Sequence, residues 1–249
     1  TALVDLTDPD HPEGKLYLFF NKVALERDAL GAHRVGERRA FVTESTDHGL
    51  NWSEPVDVTE QIMLYGEPDN WQHQVSAVGH AIQLRGTEEN PVTADRLFVP
   101  AQANVDGVTH NSAFWSDDHG ATWEVGGVNP QPWLNEVMAM EREDGGIYSN
   151  SRNYGEDRVR VGYRAVTNAD FDAQGNITFD EAYTDTSLQS PTVQASLHRY
   201  SWPDDADLGG ENRILFAIPD HGRLRTNIKV RQSYDEGATW PVAKVIDPG

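Results

Sequence analysis

The chain has 249 residues, 40 acidic against 20 basic side chains, and no cysteine. A net charge of −20 repels phosphate backbones, so no nucleic-acid partner is expected, and its ordinary meaning is a solvated acidic surface. The absence of cysteine excludes disulfides and thiolate metal sites. No apolar run approaches the roughly 20 residues of a membrane span, and no secretory leader pattern is read at the start. Hydrophobic residues make up 38% of the chain, with seven Trp, which supplies a packed core and argues against global disorder.

In chain order, strand-like runs lie at 15–20 and 40–43. The second leads into Ser45-Thr46-Asp47-His48-Gly49-Leu50-Asn51-Trp52, and a further run follows at 56–58. Runs at 81–84, 96–99 and 112–115 lead into Ser116-Asp117-Asp118-His119-Gly120-Ala121-Thr122-Trp123. Runs at 137–140 and 146–149 flank the polar turn 141–145. A weaker strand–turn–strand segment covers 164–177; it has the polar Asp/Gly turn and lacks the Trp. Runs at 194–200, 213–218 and 228–231 then lead into Ser233-Tyr234-Asp235-Glu236-Gly237-Ala238-Thr239-Trp240, followed by 243–246.

The shared pattern is S-x-D-x-G-x-(T/N)-W, and its physics is a hairpin turn. The Asp bonds nearby backbone N–H groups, the Gly supplies positive φ, and the Trp anchors the returning strand. Asp47, Asp118 and Asp235 are therefore read as turn-stabilising, not as metal ligands or acids. His48 and His119 are read as exposed turn residues. The spacing of the boxes, with the weak repeat between the second and third, gives four four-stranded units at roughly 1–62, 70–128, 133–185 and 192–249. That predicts an all-β fold, a β-propeller of four-stranded antiparallel blades.

These boxes resemble the Asp boxes of the exo-sialidase (neuraminidase) family. The segment from Asn135-Glu136 through Asp144-Gly145 to Asn150-Ser151-Arg152 resembles the family's N-E … D-G … N-x-R. Gly79-His80-Ala81-Ile82-Gln83-Leu84 with Arg96-Leu97-Phe98-Val99-Pro100 is similar to its G-x-x-I-Q-L … R-L-x-x-P, and the segments at 194–197 and 225–230 also have counterparts. The resemblance covers nearly the whole chain, so 1–249 is read as a single sialidase-like domain of about four of the family's six blades.

The resemblance implies a retaining release of terminal sialic acid from sialylated glycans by a Tyr nucleophile. It implies no cofactor and no metal. Glu136 stands where the family has the carboxylate that takes the Tyr proton. Arg152 and Arg225 match two of three arginines that clamp the substrate carboxylate, a role suited to a planar, permanently charged fork. Gln194 and Ser196 fit either a pocket wall or a plain strand. Tyr148, Tyr154 and Tyr163 are read as core or rim. The first clamp arginine, the general-acid Asp and the nucleophilic Tyr have no counterpart at the family's positions.

Two other readings stay open: a non-catalytic propeller that binds sugar or protein, and a glycosidase of neutral glycans, which has no use for Arg152 and Arg225. Unpaired blade edges also allow self-association.

Overall fold

The computed structural model describes residues 1–27, 33–63, 71–88, 90–155 and 162–249. Four antiparallel sheets follow one another along the chain. The first holds β1 (Ala2–Asp5), β2 (Lys15–Arg27), β3 (His33–Ser45) and β4 (Val56–Asp57). The second holds β5 (Trp71–Ser76), β6 (Ile82–Gln83), β7 (Leu97–Val105), β8 (Val108–Ser116) and β9 (Glu124–Pro132). In it, β5 and β6 both pair with β7. The third holds β10 (Leu134–Glu141), β11 (Ile147–Asn153), β12 (Tyr163–Phe171), β13 (Ile177–Phe179) and β14 (Tyr183–Gln189), with β13 and β14 both on β12. The fourth holds β15 (Ser196–Ser201), β16 (Arg213–Pro219), β17 (Ile228–Ser233) and β18 (Val242–Asp247). These are the four units expected from the sequence. The second and third run a few residues further than expected because β9 and β14 continue past the turn signals.

The three boxes close β3–β4, β8–β9 and β17–β18 with one geometry. Each box Ser Oγ donates to its Asp Oδ1, at 2.8, 2.7 and 2.8 Å, and accepts the Gly N–H at 2.9, 2.8 and 3.0 Å. The same Asp Oδ1 accepts the backbone N–H four residues on, at 2.8 Å in all three. Asp Oδ2 accepts the side chain of Asn51, Thr122 or Thr239 at 2.6 Å. Gly49, Gly120 and Gly237 sit at φ +84, +80 and +83°, where a Cβ is disfavoured. The turn between β12 and β13 keeps half of this device. Asp172 Oδ1 accepts the N–H of Asn176, four residues on, at 2.9 Å, and Gly175 has φ +82°.

Successive sheets pack face to face, and the core lies between them. One cluster joins Tyr17 and Phe19 of the first sheet to Phe114 and Trp123 of the second. Another joins Phe98 and Trp115 of the second to Ala139, Ile147 and Ala169 of the third, with Ile177 packed against it. A third joins Met138, Met140 and Tyr148 to Ile214, Phe216 and Trp240. Trp123 and Trp240, the eighth residues of the second and third boxes, are thus inserted against the preceding sheet. Trp123 meets Tyr17 and Phe19 edge-on, with ring centroids 5.9 and 4.9 Å apart. Arg96 adds a polar tie between the second and third sheets: its guanidinium lies 4.3 Å from the Trp115 ring centroid, is paired to Asp117 at 2.7 Å, and donates to the Gly175 carbonyl.

Two expectations are corrected by this packing. Trp52, in the first of the four sheets, is 42% exposed and only donates to its own turn at Gly49 O; it anchors nothing. His119 is half-buried, not an exposed turn residue. Its ring bonds the buried Asp5 carboxylate at 2.8 Å, and its carbonyl accepts the Tyr17 hydroxyl. The reason is the same in both cases: among the described residues the first sheet stands in front of the second box, and no described sheet stands in front of the first. His48 is exposed as expected.

Candidate functional site

The residues Glu136 and Arg152 meet at the end of the third sheet opposite its Asp172 turn. The pairing of β10 with β11 puts Asn135 opposite Arg152 and Met138 opposite Asn150. Two residues of β10, Glu136 and Val137, therefore face the single residue Ser151, which is a β-bulge. The bulge holds Glu136 at φ +44°, a left-handed conformation that costs a non-glycine residue about 1–2 kcal/mol. It also aims the carboxylate along the blade: Glu136 Oε1 lies 3.1 Å from Arg152 Nη1. Both side chains are about a third exposed, so water and ligand reach them, and the pair alone contributes little stability.

Around this pair the polar groups are incompletely matched. Asn135 Oδ1 and Arg152 Nε are buried and have no hydrogen-bond partner among the described residues. The Arg152 guanidinium lies 5.8 Å from the Tyr154 ring centroid, and Tyr154 meets Trp133 edge-on. Trp133 is itself at φ +66°. Beside Arg152, Ser151 Oγ accepts the Asn111 amide of β8 at 2.5 Å, which fixes the end of β11 to the second sheet.

A third charge completes the row. The pairing of Ser151 with Ala165 brings Arg164 of β12 level with Arg152. Arg164 is fully buried. Its Nε donates to Asn150 Oδ1 at 2.7 Å, its Nη2 to Asn150 O at 3.4 Å, and its Nη1 to Val193 O. All three acceptors are neutral. Burial drags the guanidinium down from its ordinary 12.5 to about 9, and the Glu136 carboxylate pulls the other way. It stays protonated at neutral pH. Crossing the blade from β10 to β12, the order is carboxylate, guanidinium, guanidinium, and Asp185 of β14 stands opposite Arg164 in the register.

The remaining expected residues are placed less closely. Arg225 stands exposed in the segment before β17, and among the described residues no hydrogen bond or ion pair joins it to Glu136 or Arg152. Gln194 is committed to the carbonyl of Val78 at 2.8 Å, and Ser196 is exposed on β15. Tyr148 is core: burial raises its hydroxyl well above the ordinary range, and that hydroxyl accepts the Asn150 amide. Tyr17 is likewise pushed up to about 12 by burial. Among the described residues no tyrosine hydroxyl bonds Glu136, and no cluster of three or more His, Cys, Asp or Glu is placed to hold a metal ion. A cleft of about 470 Å³ between the first two sheets is lined by Lys15, Glu44, Asp118, His119 and Trp123. It lies at the box end and contains none of the three expected site residues.

Sequence reasoning missed Arg164, Asn150 and the unpartnered Asn135 amide. A signal for Arg164 was present: a single basic residue interrupting the strand Tyr163-Arg164-Ala165-Val166, where a fully buried strand reads as continuous apolar residues. The partners of Asn135 and Asn150 leave no such mark.

The BNR repeat-like domain family matches residues 6–249. A sialidase of Micromonospora viridifaciens is 33% identical over 216 residues, covering 84% of this chain and 30% of its own length. An exo-alpha-sialidase of Aspergillus fumigatus is 29% identical over 204 residues, covering 82% of this chain and 41% of its own. Among solved structures, a Hadza microbial sialidase superposes on 100% of this chain and 45% of its own with a TM-score of 0.75 at 23% identity. The intramolecular trans-sialidase from Ruminococcus gnavus covers 92% of this chain and 49% of its own with a TM-score of 0.64 at 19% identity. The chain thus spans less than half the length of each of these four, and the structural likeness establishes the propeller-type fold.

Proposed function

This chain belongs to the BNR repeat-like domain family, and from that premise we propose that Glu136 and Arg152 are part of an exo-α-sialidase site that releases terminal sialic acid from glycoconjugates with retention. The observation that carries the reading is the partly exposed Glu136–Arg152 pair, in which the Arg152 Nε has no partner among the described residues. A sugar carboxylate matches that guanidinium fork, and a neutral sugar does not.

In this reading residues 1–249 act as one domain. Arg152 takes the substrate carboxylate through its planar fork, with its unpartnered Nε as one donor. Arg225 is the second arm of the clamp. Glu136 receives the proton of an attacking tyrosine, and the two arginines favour the oxocarbenium-like transition state electrostatically. The tyrosine and the general acid are supplied by groups other than those identified in this sequence.

A second reading, sialoside binding without turnover, is favoured by one observation: no tyrosine hydroxyl bonds Glu136 among the described residues. The test is turnover of a fluorogenic α-sialoside, and calorimetric binding of free N-acetylneuraminic acid, by the 249-residue chain and its Glu136→Gln and Arg152→Ala variants. Turnover that falls in both variants supports hydrolysis. Binding lost in Arg152→Ala without any turnover supports the second reading. Binding and turnover indifferent to both changes sink the site.

A further inference from the structure

We propose that Arg164 is a positioning residue of this site, a buried cation level with Arg152 that makes the pocket prefer an anionic ligand over a neutral one of the same shape. The inference rests on the sialic-acid reading above and deepens it.

The argument begins with what a buried guanidinium needs. A charge removed from water is costly unless it is paired and hydrogen-bonded. Arg164 has its hydrogen bonds, three of them, to Asn150 and Val193. Among the described residues no carboxylate forms an ion pair with it. The residue opposite it on β14 is Asp185, but that carboxylate accepts the N–H and hydroxyl of Ser187 at 2.8 and 2.6 Å. The other ionisable groups acting on Arg164 are Glu136 of β10 and Arg152 and Tyr148 of β11. Among the described residues, Glu136 is the carboxylate that acts on both guanidiniums, and it is already 3.1 Å from Arg152.

Like charges level with each other on neighbouring strands repel. Arg152 and Arg164 are kept together all the same, one partly exposed and one fully buried. The arrangement suits a second anion at the mouth of the row. A ligand carboxylate on Arg152 lies within the field of Arg164, whose own guanidinium is buried, so that field is only partly screened by water. Arg164 touches no ligand. It acts through fixed charge, and through Asn150, whose backbone and side chain it holds one residue from Ser151.

A purely structural role predicts that replacing Arg164 weakens every ligand alike. Charge predicts a selective loss. The experiment compares binding of N-acetylneuraminic acid with binding of its methyl ester, by calorimetry, in the 249-residue chain and in its Arg164→Met and Arg164→Lys variants. The expected result is an acid-over-ester preference that drops about tenfold in Arg164→Met, from loss of the acid alone, and is retained in Arg164→Lys. An acid-over-ester ratio unchanged in Arg164→Met overturns the role of Arg164 and leaves the sialic-acid reading standing. No binding of either ligand by the parent chain sinks both.

Discussion

At the two ends of the third sheet, carboxylates are used in opposite ways. At one end Asp172 is saturated by its own turn: it accepts the N–H groups of Gln174 and Asn176 and the Asn176 amide. The full boxes of the neighbouring sheets repeat this device with a Ser added. At the other end Glu136 accepts one ion pair, sits on a strained bulge, and is surrounded by polar atoms without partners. Saturated carboxylates make rigid corners. Unsaturated ones, held in a conformation the local chain does not favour, are what a binding centre needs. The contrast separates acids saturated by their own turns from the acid of the proposed site, although both are partly exposed Asp or Glu in a chain full of them.

Four changes would break or sharpen it. The largest effect is expected at the box end, through packing. Trp123→Ala should cost about 3–5 kcal/mol in urea denaturation, because it opens a cavity among Tyr17, Phe19 and Phe114. The same change at the exposed Trp52 should cost under about 0.5 kcal/mol, although the two sequences around them match.

Next comes the site end. Arg152→Ala should weaken sialic-acid binding about a hundredfold, the loss of a charge-assisted contact, while the midpoint of thermal unfolding moves little. An equal loss of stability would erase the distinction between the two ends.

Third, Asp118→Ala should destabilise by about 1 kcal/mol, because three accepted hydrogen bonds are lost and the Thr122 N–H is left unpaired. The box aspartates also set an acid limit. Hydrogen bonds from the turn lower Asp47 from 3.8 to about 2, and the turn hydrogen bonds of Asp118 and Asp235 outweigh burial and lower those acids as well. A carboxylate with a lowered folded pKa contributes stability that is present above its unfolded pKa and lost as the pH falls through the folded one. Stability should therefore decline between pH 3.8 and about 2, and Asp118→Ala should show less of that decline in acid-unfolding curves.

The smallest effect concerns strain. Glu136→Gly should raise stability by about 0.5–1 kcal/mol, because glycine adopts φ +44° freely, while sialoside binding or turnover is lost. A stability unchanged or lowered would remove strain from the description of the site.

Much of the fold was legible because its signals are local. Each box is closed by bonds between residues two to four apart, so Ser, Asp, Gly and Thr or Asn at fixed offsets specify it without reference to the rest of the chain. Strand alternation and box spacing then give four sheets in order. The pair Glu136–Arg152 was legible as a family pattern, and the structure brings the two together across β10 and β11. Arg225 was legible on the same grounds, yet it lies in a segment with no hydrogen bond or ion pair to them. Trp52 and Trp123 share a motif, and only one is buried. No local pattern distinguishes them, since burial depends on which sheet stands in front.

The sequence by itself determined the all-β class, the number of sheets and the chemistry of the turns, because each depends on contacts a few residues apart or on neighbouring strands joined by a turn. Only the tertiary structure decided that β10 bulges at Glu136, that Arg164 is buried level with Arg152 without an ion pair to a carboxylate among the described residues, that His119 reaches Asp5, and that Trp52 stays in solvent. These depend on strands and sheets far apart in the chain meeting at one place, and on the removal of water there, which turns an ordinary arginine into a fixed charge.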